Sequence, residues 1–352
     1  MEEAIISGMQ QVGLGVSDRD AAYRWYGETL GIDIAAFRDE GEATLMTRYT
    51  RGRVRKRRAV LAVSIQGGGG LEIWQALDPG PAAPVVEPGD LGICWAVLKT
   101  RDVEGAFARL SGTPGRVLGP VVRDPAGRAS FFLRDPDGNL LRVVPGSDWF
   151  ARSPAPVGGV AGCAIGVADI DRARAFYGGA LGWDRIVYDE RGTFADLACL
   201  HGGSGRLRRL LLARAEPQRG PFAEWLGASQ VELVQCLDRV PRGIYAGRAW
   251  GDPGFMHVCF EVRAMEAWKE RLGRLGFPFT VDSAGAFSMG GDAGRFAYCE
   301  DPDGTLVELV ETERIGIVKR WGVYLDLRRR PPGKPLPRWL LGAMRLNRTR
   351  WR

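Results

Sequence analysis

The chain repeats itself, and this constrains its fold more than any other feature. Residues 16–31, VSDRDAAYRWYGETLG, return at 167–182 as VADIDRARAFYGGALG, an offset of 151. Val16/Val167, Asp18/Asp169, Asp20/Asp171, Ala22/Ala173, Tyr26/Tyr177, Gly27/Gly178, Leu30/Leu181 and Gly31/Gly182 are identical. LEIWQAL (71–77) is matched by VELVQCL (231–237), and DPDGNLLRVV (135–144) by DPDGTLVELV (301–310), in the same order. Such self-similarity means two related structural units. The sequence divides into halves 1–150 and 159–315, a Pro-containing linker 151–158, and a tail 316–352.

Each half divides again. A short strand (QVGLGV, CAIGV) leads through an aspartate cap into an amphipathic helix that ends at glycine. Strand-like runs follow: ATLMTRY, AVLAVSI and LEIWQAL in the first half, FADLACL, LRRLLLARA and VELVQCL in the second. A second round opens at ICWAVL and HVCFEV, continues through VEGAFARL or MEAWKERLGRLG, and ends in hairpin strands around DPDG, where Asp-Gly marks a tight turn. The spacing predicts an α+β chain of four βαβββ modules, at about 8–80, 88–147, 157–240 and 253–313.

Composition narrows the class. Glycine, at 49 of 352 residues, favours turn-rich β architecture. The formal charge of +6 comes from the tail: of 48 bases, nine lie in 327–352 with no acid, leaving 39 against 42 acids in the body. A near-neutral body argues against a nucleic-acid partner. The N-terminus, MEEAIISGMQ, is acidic where a signal peptide is basic, no run of 18 apolar residues occurs, and the expected compartment is the cytoplasm. Six cysteines without CxxC spacing read as reduced, buried residues rather than a zinc-thiolate site.

These motifs together, QVGLGV…YGETLG and CAIGV…YGGALG, the fourth-strand LEI and VEL, and the two DPDG hairpins, resemble the vicinal oxygen chelate superfamily. That group includes glyoxalase I, methylmalonyl-CoA epimerase, extradiol dioxygenases and bleomycin-resistance proteins. The resemblance covers about 1–313 and implies modules paired into two incomplete β-barrels (glyoxalase-like), each able to hold one metal through the first and fourth strands of its modules. Carried over, those positions are Gln11 and Glu72, Gly92 and Arg142, Gly162 and Glu232, and His257 and Glu308. Paired in sequence order, neither half is complete. Paired crosswise, modules one and four gather Gln11, Glu72, His257 and Glu308, whereas modules two and three gather Gly92, Arg142, Gly162 and Glu232, in which Arg142 can neutralise Glu232.

A Gln oxygen, one imidazole and two carboxylates suit an octahedral divalent ion (Zn, Ni, Co, Fe or Mn) with two open positions. The resemblance implies a lyase, isomerase or epimerase that moves a proton beside a metal-chelated carbonyl, with Glu308 and then Glu72 as the catalytic carboxylates. Its rivals are an Fe(II) ring-cleavage dioxygenase and a metal-free binding or resistance protein. Strand alternation places Gly13 and Gly15 on the face of Gln11, Trp74 with Glu72 and Cys259 with His257, all as pocket neighbours, while Gln10 points to the opposite face. His201 is assigned no role. RGRVRKRR (51–58), with Arg206, Arg208 and Arg209 in the other half, reads either as a solvated loop or as a clamp for an anionic substrate. The tail pairs bases with Trp339, Leu340, Leu341, Met344, Leu346 and Trp351; docking on the body or on a second copy is preferred to membrane contact. The expected partner is a small molecule with vicinal oxygens, anionic if the basic run is a clamp, bound by a monomer or homodimer.

Overall fold

A computed structural model of the chain describes residues 3–351 apart from 79, 84, 114–115, 285–286, 290–291 and 319–322. The first module contains β1 (Ile5–Gly15), β2 (Ile34–Glu42), β3 (Lys56–Val63) and β4 (Gly70–Ala76). The second contains β5 (Gly92–Thr100), β6 (Val117–Arg123), β7 (Ala129–Arg134) and β8 (Leu140–Pro145). The third contains β9 (Val160–Gly166), β10 (Arg185–Gly192), β11 (Leu207–Ala213) and β12 (Gln230–Cys236). The fourth contains β13 (Gly254–Arg263), β14 (Val281–Asp282), β15 (Phe287–Met289), β16 (Asp292–Glu300) and β17 (Leu306–Val318), with β18 (Val323–Asp326) added beyond it.

The modules pair crosswise. One sheet runs β14-β16-β17-β13-β1-β4-β3-β2, with β15 on β16 and β18 on β17; the other runs β10-β11-β12-β9-β5-β8-β7-β6. Modules one and four are therefore joined by antiparallel β1 and β13, and modules two and three by antiparallel β5 and β9. Within a module the first and fourth strands are parallel neighbours, as β1 with β4 and β13 with β17. This α+β architecture of two curled sheets is the one the repeats predict.

Helix starts follow the sequence signals. Asp18 Oδ1 accepts from the backbone N–H groups of Asp20 and Ala21 at 2.9 and 3.0 Å, and Asp169 caps its helix in the same way at 2.8 and 3.0 Å. The repeated Tyr and DPDG motifs meet: Tyr26 donates to Asp135 at 2.8 Å and Tyr177 to Asp301 at 2.9 Å. Each contact ties the two sheets together within one sequence half. Alternate residues of β1, Val12 and Leu14, enter a single buried core that draws on all four modules.

Two strand assignments move. ATLMTRY and FADLACL hold short 3-10 turns (Thr44–Tyr49, Ala195–Leu197), and the second strands lie earlier, at β2 and β10. Both are sheet edges rich in charged residues, a composition that protects an edge but lowers its strand signal. β17 also runs past 313 to Val318. Cys199 is exposed and Cys236 half-buried, while the other four cysteines are buried.

The tail docks on the body. Leu336 and Leu341 are buried in an apolar cluster with Ile34, Leu61, Val63 and Trp225. The Leu336 N–H donates to Pro221 O at 2.9 Å and the Thr349 N–H to Asp33 O at 2.8 Å. Arg348 pairs with Asp33 at 2.7 Å, and Trp351 packs edge-on against Tyr23. Trp339 and Leu346 stay exposed. Among the described residues no helix is long and apolar enough to cross a membrane.

Candidate metal centre

Strand register builds the site in two adjacent rows across the first sheet. One row is Glu72–Gly13–His257, on β4, β1 and β13. The next is Gln11–Cys259–Glu308–Tyr298, on β1, β13, β17 and β16. Gly13 is central. A Cβ on it would fall 2.6 Å from both nitrogens of the His257 ring, so only glycine leaves the ring its place.

His257 Nε2 lies 3.2 Å from Glu72 Oε2 and 3.1 Å from Glu308 Oε2, and Gln11 Nε2 donates to Glu308 Oε2 at 3.4 Å. All four side chains are buried. Potential donor atoms of Glu72, His257 and Glu308 lie within 4.8 Å of one another. Gln11 Oε1 and His257 Nδ1 have no hydrogen-bond partner, and His257 Nε2 meets the two carboxylates as ion pairs without hydrogen-bond geometry. Two buried carboxylates sharing one imidazole, with an amide oxygen and a ring nitrogen left over, are costly unless something else satisfies them. A divalent cation fits this donor set: two hard carboxylates, one imidazole, and an amide whose oxygen turns inward on a flip.

Burial works against a charged His257, but Glu308 and Glu72 outweigh it and hold the imidazole up at about 9. Burial raises the Glu72 carboxyl against the pull of His257, and the charge of Glu308 adds to the rise.

A cavity of about 450 Å³ opens onto this cluster, within the range of small-molecule sites. Trp74 lines it and meets Trp250 edge-on at 4.6 Å between centroids. Gly13 lies beneath the imidazole. Cys259 sits between Gln11 and Glu308 in register, with its thiol raised by burial and then by the glutamates. Gly15 gives no room beside the cluster, because its Cα faces the Asp252 carbonyl.

Gln10 does not point away. A β-bulge between Met9 and Gln11 breaks the alternation, so Gln10 also lines the cavity, where its amide donates to Glu261 and its oxygen accepts from Cys259 at 3.6 Å. Burial pushes the Glu261 carboxyl up to about 8 despite two bonds from Thr312. Tyr298 was not singled out by its sequence context. Its ring stands edge-on to His257 at 5.5 Å, and burial, then Glu308 and Glu72, hold its hydroxyl proton far more tightly than usual. Counting outward from the DPDG hairpin places it opposite Glu308, which is the signal that would find it.

Among the described residues the second sheet carries no equivalent donor set. Arg209 donates to Glu232 at 2.6 Å and to Asp196 at 2.8 and 3.0 Å, while Arg142 donates to Asp196 at 2.6 Å and lies 3.7 Å from Glu232. Tyr188 adds a bond to Glu232 at 2.6 Å. Arg209, more than Arg142, neutralises Glu232. Gly92 is overlaid by Ile244 and Tyr245. His201 is exposed, 3.5 Å from Glu87.

Three of the six bases in the run 51–58 are taken up in ion pairs. Arg55 is buried against Asp252 at 2.6 Å and reaches Asp78, Arg57 pairs with Asp39, and Arg58 pairs with Glu40 at 3.0 Å. In the other half Arg208 is held by Asp171 and Asp189, and Arg209 is buried.

The profile of the Glyoxalase/Bleomycin resistance protein/Dioxygenase superfamily matches residues 8–143 and 159–309, most of the chain. The chain belongs to that superfamily. Among solved structures, glyoxalase I from Zea mays is similar over 88% of this chain and 92% of that one, with a TM-score of 0.53 and 16% identity. A putative dioxygenase from Bacillus subtilis is similar over 87% of this chain and 86% of that one, with a TM-score of 0.57 and 13% identity. At such identities the likeness is one of fold. No curated protein matches the sequence.

Proposed function

We propose that this protein is a divalent-metal-dependent lyase, isomerase or epimerase, acting by proton transfer next to a chelated carbonyl. The observation that carries this reading is the convergence of Glu72, His257 and Glu308, with Gln11 beside them, as buried and incompletely bonded donors at the foot of a cavity. These four residues would hold the ion. A divalent cation supplies Lewis-acid polarisation of the substrate carbonyl, which acidifies the neighbouring C–H.

The chain's own residues do the rest. Glu308, opposite Tyr298 across the β16–β17 pair, takes the proton from the carbon beside the carbonyl through its carboxylate when that carboxylate is not engaged with the ion, and returns it to the neighbouring position. Glu72 has the second claim to that role. Trp74 and Tyr298 cover the cluster and keep water from the carbanionic carbon. Ring cleavage with Fe(II) typically calls for two imidazoles and one carboxylate; among the described residues His257 is the one imidazole in the cluster.

Elemental analysis of purified protein tests the reading. About one divalent ion per chain is expected, lost in His257→Ala and retained in Glu232→Gln, with metal-dependent turnover of a chelatable carbonyl compound abolished in Glu308→Gln. Protein that takes up none of Zn²⁺, Ni²⁺, Co²⁺, Fe²⁺ or Mn²⁺ would leave only the metal-free binding protein.

A further inference from the structure

The cavity wall carries information about the substrate that the cluster at its foot does not. Resting on the reading above, we propose that the substrate is an apolar molecule with its two neighbouring oxygens at one end and an uncharged aliphatic or aromatic body, rather than a thiol-peptide conjugate or another polyanion.

The wall beyond the cluster is made by Phe37, Leu45, Trp225, Phe296, Leu340 and Met344. They come from different parts of the chain. Phe37 is on β2 and Leu45 in the turn after it, Trp225 is in the short helix before β12, and Leu340 and Met344 are in the docked tail. Convergence of apolar residues from the body and the tail gives the cavity a mainly apolar wall, and the driving force for binding there scales with apolar surface buried.

Charge excludes the alternative. Arg57 is the one basic side chain in the described wall, and it is already engaged: it pairs with Asp39 and stacks over Trp74 at 4.5 Å. Glu42 adds an acid near the opening. Once an ion has offset Glu72 and Glu308, the remaining wall is neutral to acidic. A substrate with two further carboxylates would find no cation there and would lose its hydration without replacement. The buried Trp250 indole N–H, which lines the cavity and lacks a partner, offers a donor to a neutral oxygen of the substrate.

Alkyl hydroxamates test this, because they present neighbouring oxygens on a variable apolar chain. The full-length protein, loaded with Co²⁺, is titrated with acetohydroxamate, butanohydroxamate, hexanohydroxamate and octanohydroxamate, and with S-hexylglutathione. Binding is read by calorimetry and by the fluorescence of the cavity tryptophans. Affinity is expected to rise about fourfold per added methylene, the factor for burying one CH₂, and S-hexylglutathione to bind more weakly than hexanohydroxamate. Leu45→Glu, at a half-exposed site that the fold tolerates, and Leu340→Glu should each collapse the octano-to-aceto ratio. A flat series, or tighter binding of S-hexylglutathione, overturns the substrate class while leaving the metal site standing. Failure of acetohydroxamate itself to bind overturns the metal-site reading, and this inference with it.

Discussion

Gly13 shows how much one residue decides. It lies between Glu72 and His257 in register, and its missing side chain is the space the imidazole occupies. Gly13→Ala forces the ring aside at a cost of about 1–3 kcal/mol. The expected result is folded protein whose ion affinity, measured by competition with a chelating dye, falls by about one to two orders of magnitude. Arg209 has the reverse role in the other sheet. It stands two residues before the partner of Glu232, where β3 has Ala59 two residues before the partner of Glu72. A small side chain leaves room around one glutamate, and a guanidinium fills the space around the other. Arg209→Met leaves Glu232 and Asp196 buried with Arg142 alone, and should lower stability by about 3–5 kcal/mol in urea unfolding. The same network has a pH signature. Burial opposes ionisation of Asp196, but Arg142 and Arg209 outweigh it and hold the carboxyl below its usual range. The unfolded chain therefore takes up this proton at a higher pH than the folded one. The contribution to stability is complete above the ordinary aspartate range and is lost as pH falls below about 4. Urea midpoints between pH 2 and 6 should slope less steeply in Asp196→Asn than in wild type.

At the scale of elements, the matching turns after β2 and β10 separate the two sheets. Thr44, Leu45 and Met46 stay at the cavity wall, whereas Asp196, Leu197 and Leu200 fold into the interior of the second sheet. One turn frames a cavity and the other helps fill its counterpart. The tail is the second deciding element. Its bases suggest a membrane or a partner, but Leu336 and Leu341 are buried in the cluster with Trp225 and β3, so it belongs to the body. Leu341→Ala should cost about 2–4 kcal/mol by the cavity it leaves, seen as a lower melting temperature. Deletion of 335–352 should also uncover Ile34, Leu61 and Val63 and raise the binding of a hydrophobic dye above that of the full chain.

At the scale of the whole molecule, sequence halves and sheets do not coincide. Each sheet takes one module from each half, while Tyr26–Asp135 and Tyr177–Asp301 tie the sheets together within each half. Neither half contains a complete sheet or a complete donor set. Calorimetry should therefore show one unfolding transition, with no separate melting of 1–150 and 159–315. Either half expressed alone should bind no ion, and Co²⁺ binding should return only when both are refolded together.

Much of this was legible in the residues. The repeats carried the four modules, because local strand, cap and turn signals survive in both copies. The loss of side chains at Gly92 and Gly162, with a base at Arg142, pointed to crosswise pairing, because only that arrangement puts four ligand-type residues around one point. The bulge at Gln10, the hydroxyl of Tyr298 opposite Glu308, the edge strands hidden by their charges, and the arginines consumed by ion pairs were not legible. Each depends on which atoms meet across strands distant in sequence. Periodicity reports which face a residue takes within its own strand; register between strands, and the docking of a tail onto a cavity, are set by packing, and only the folded chain decides them.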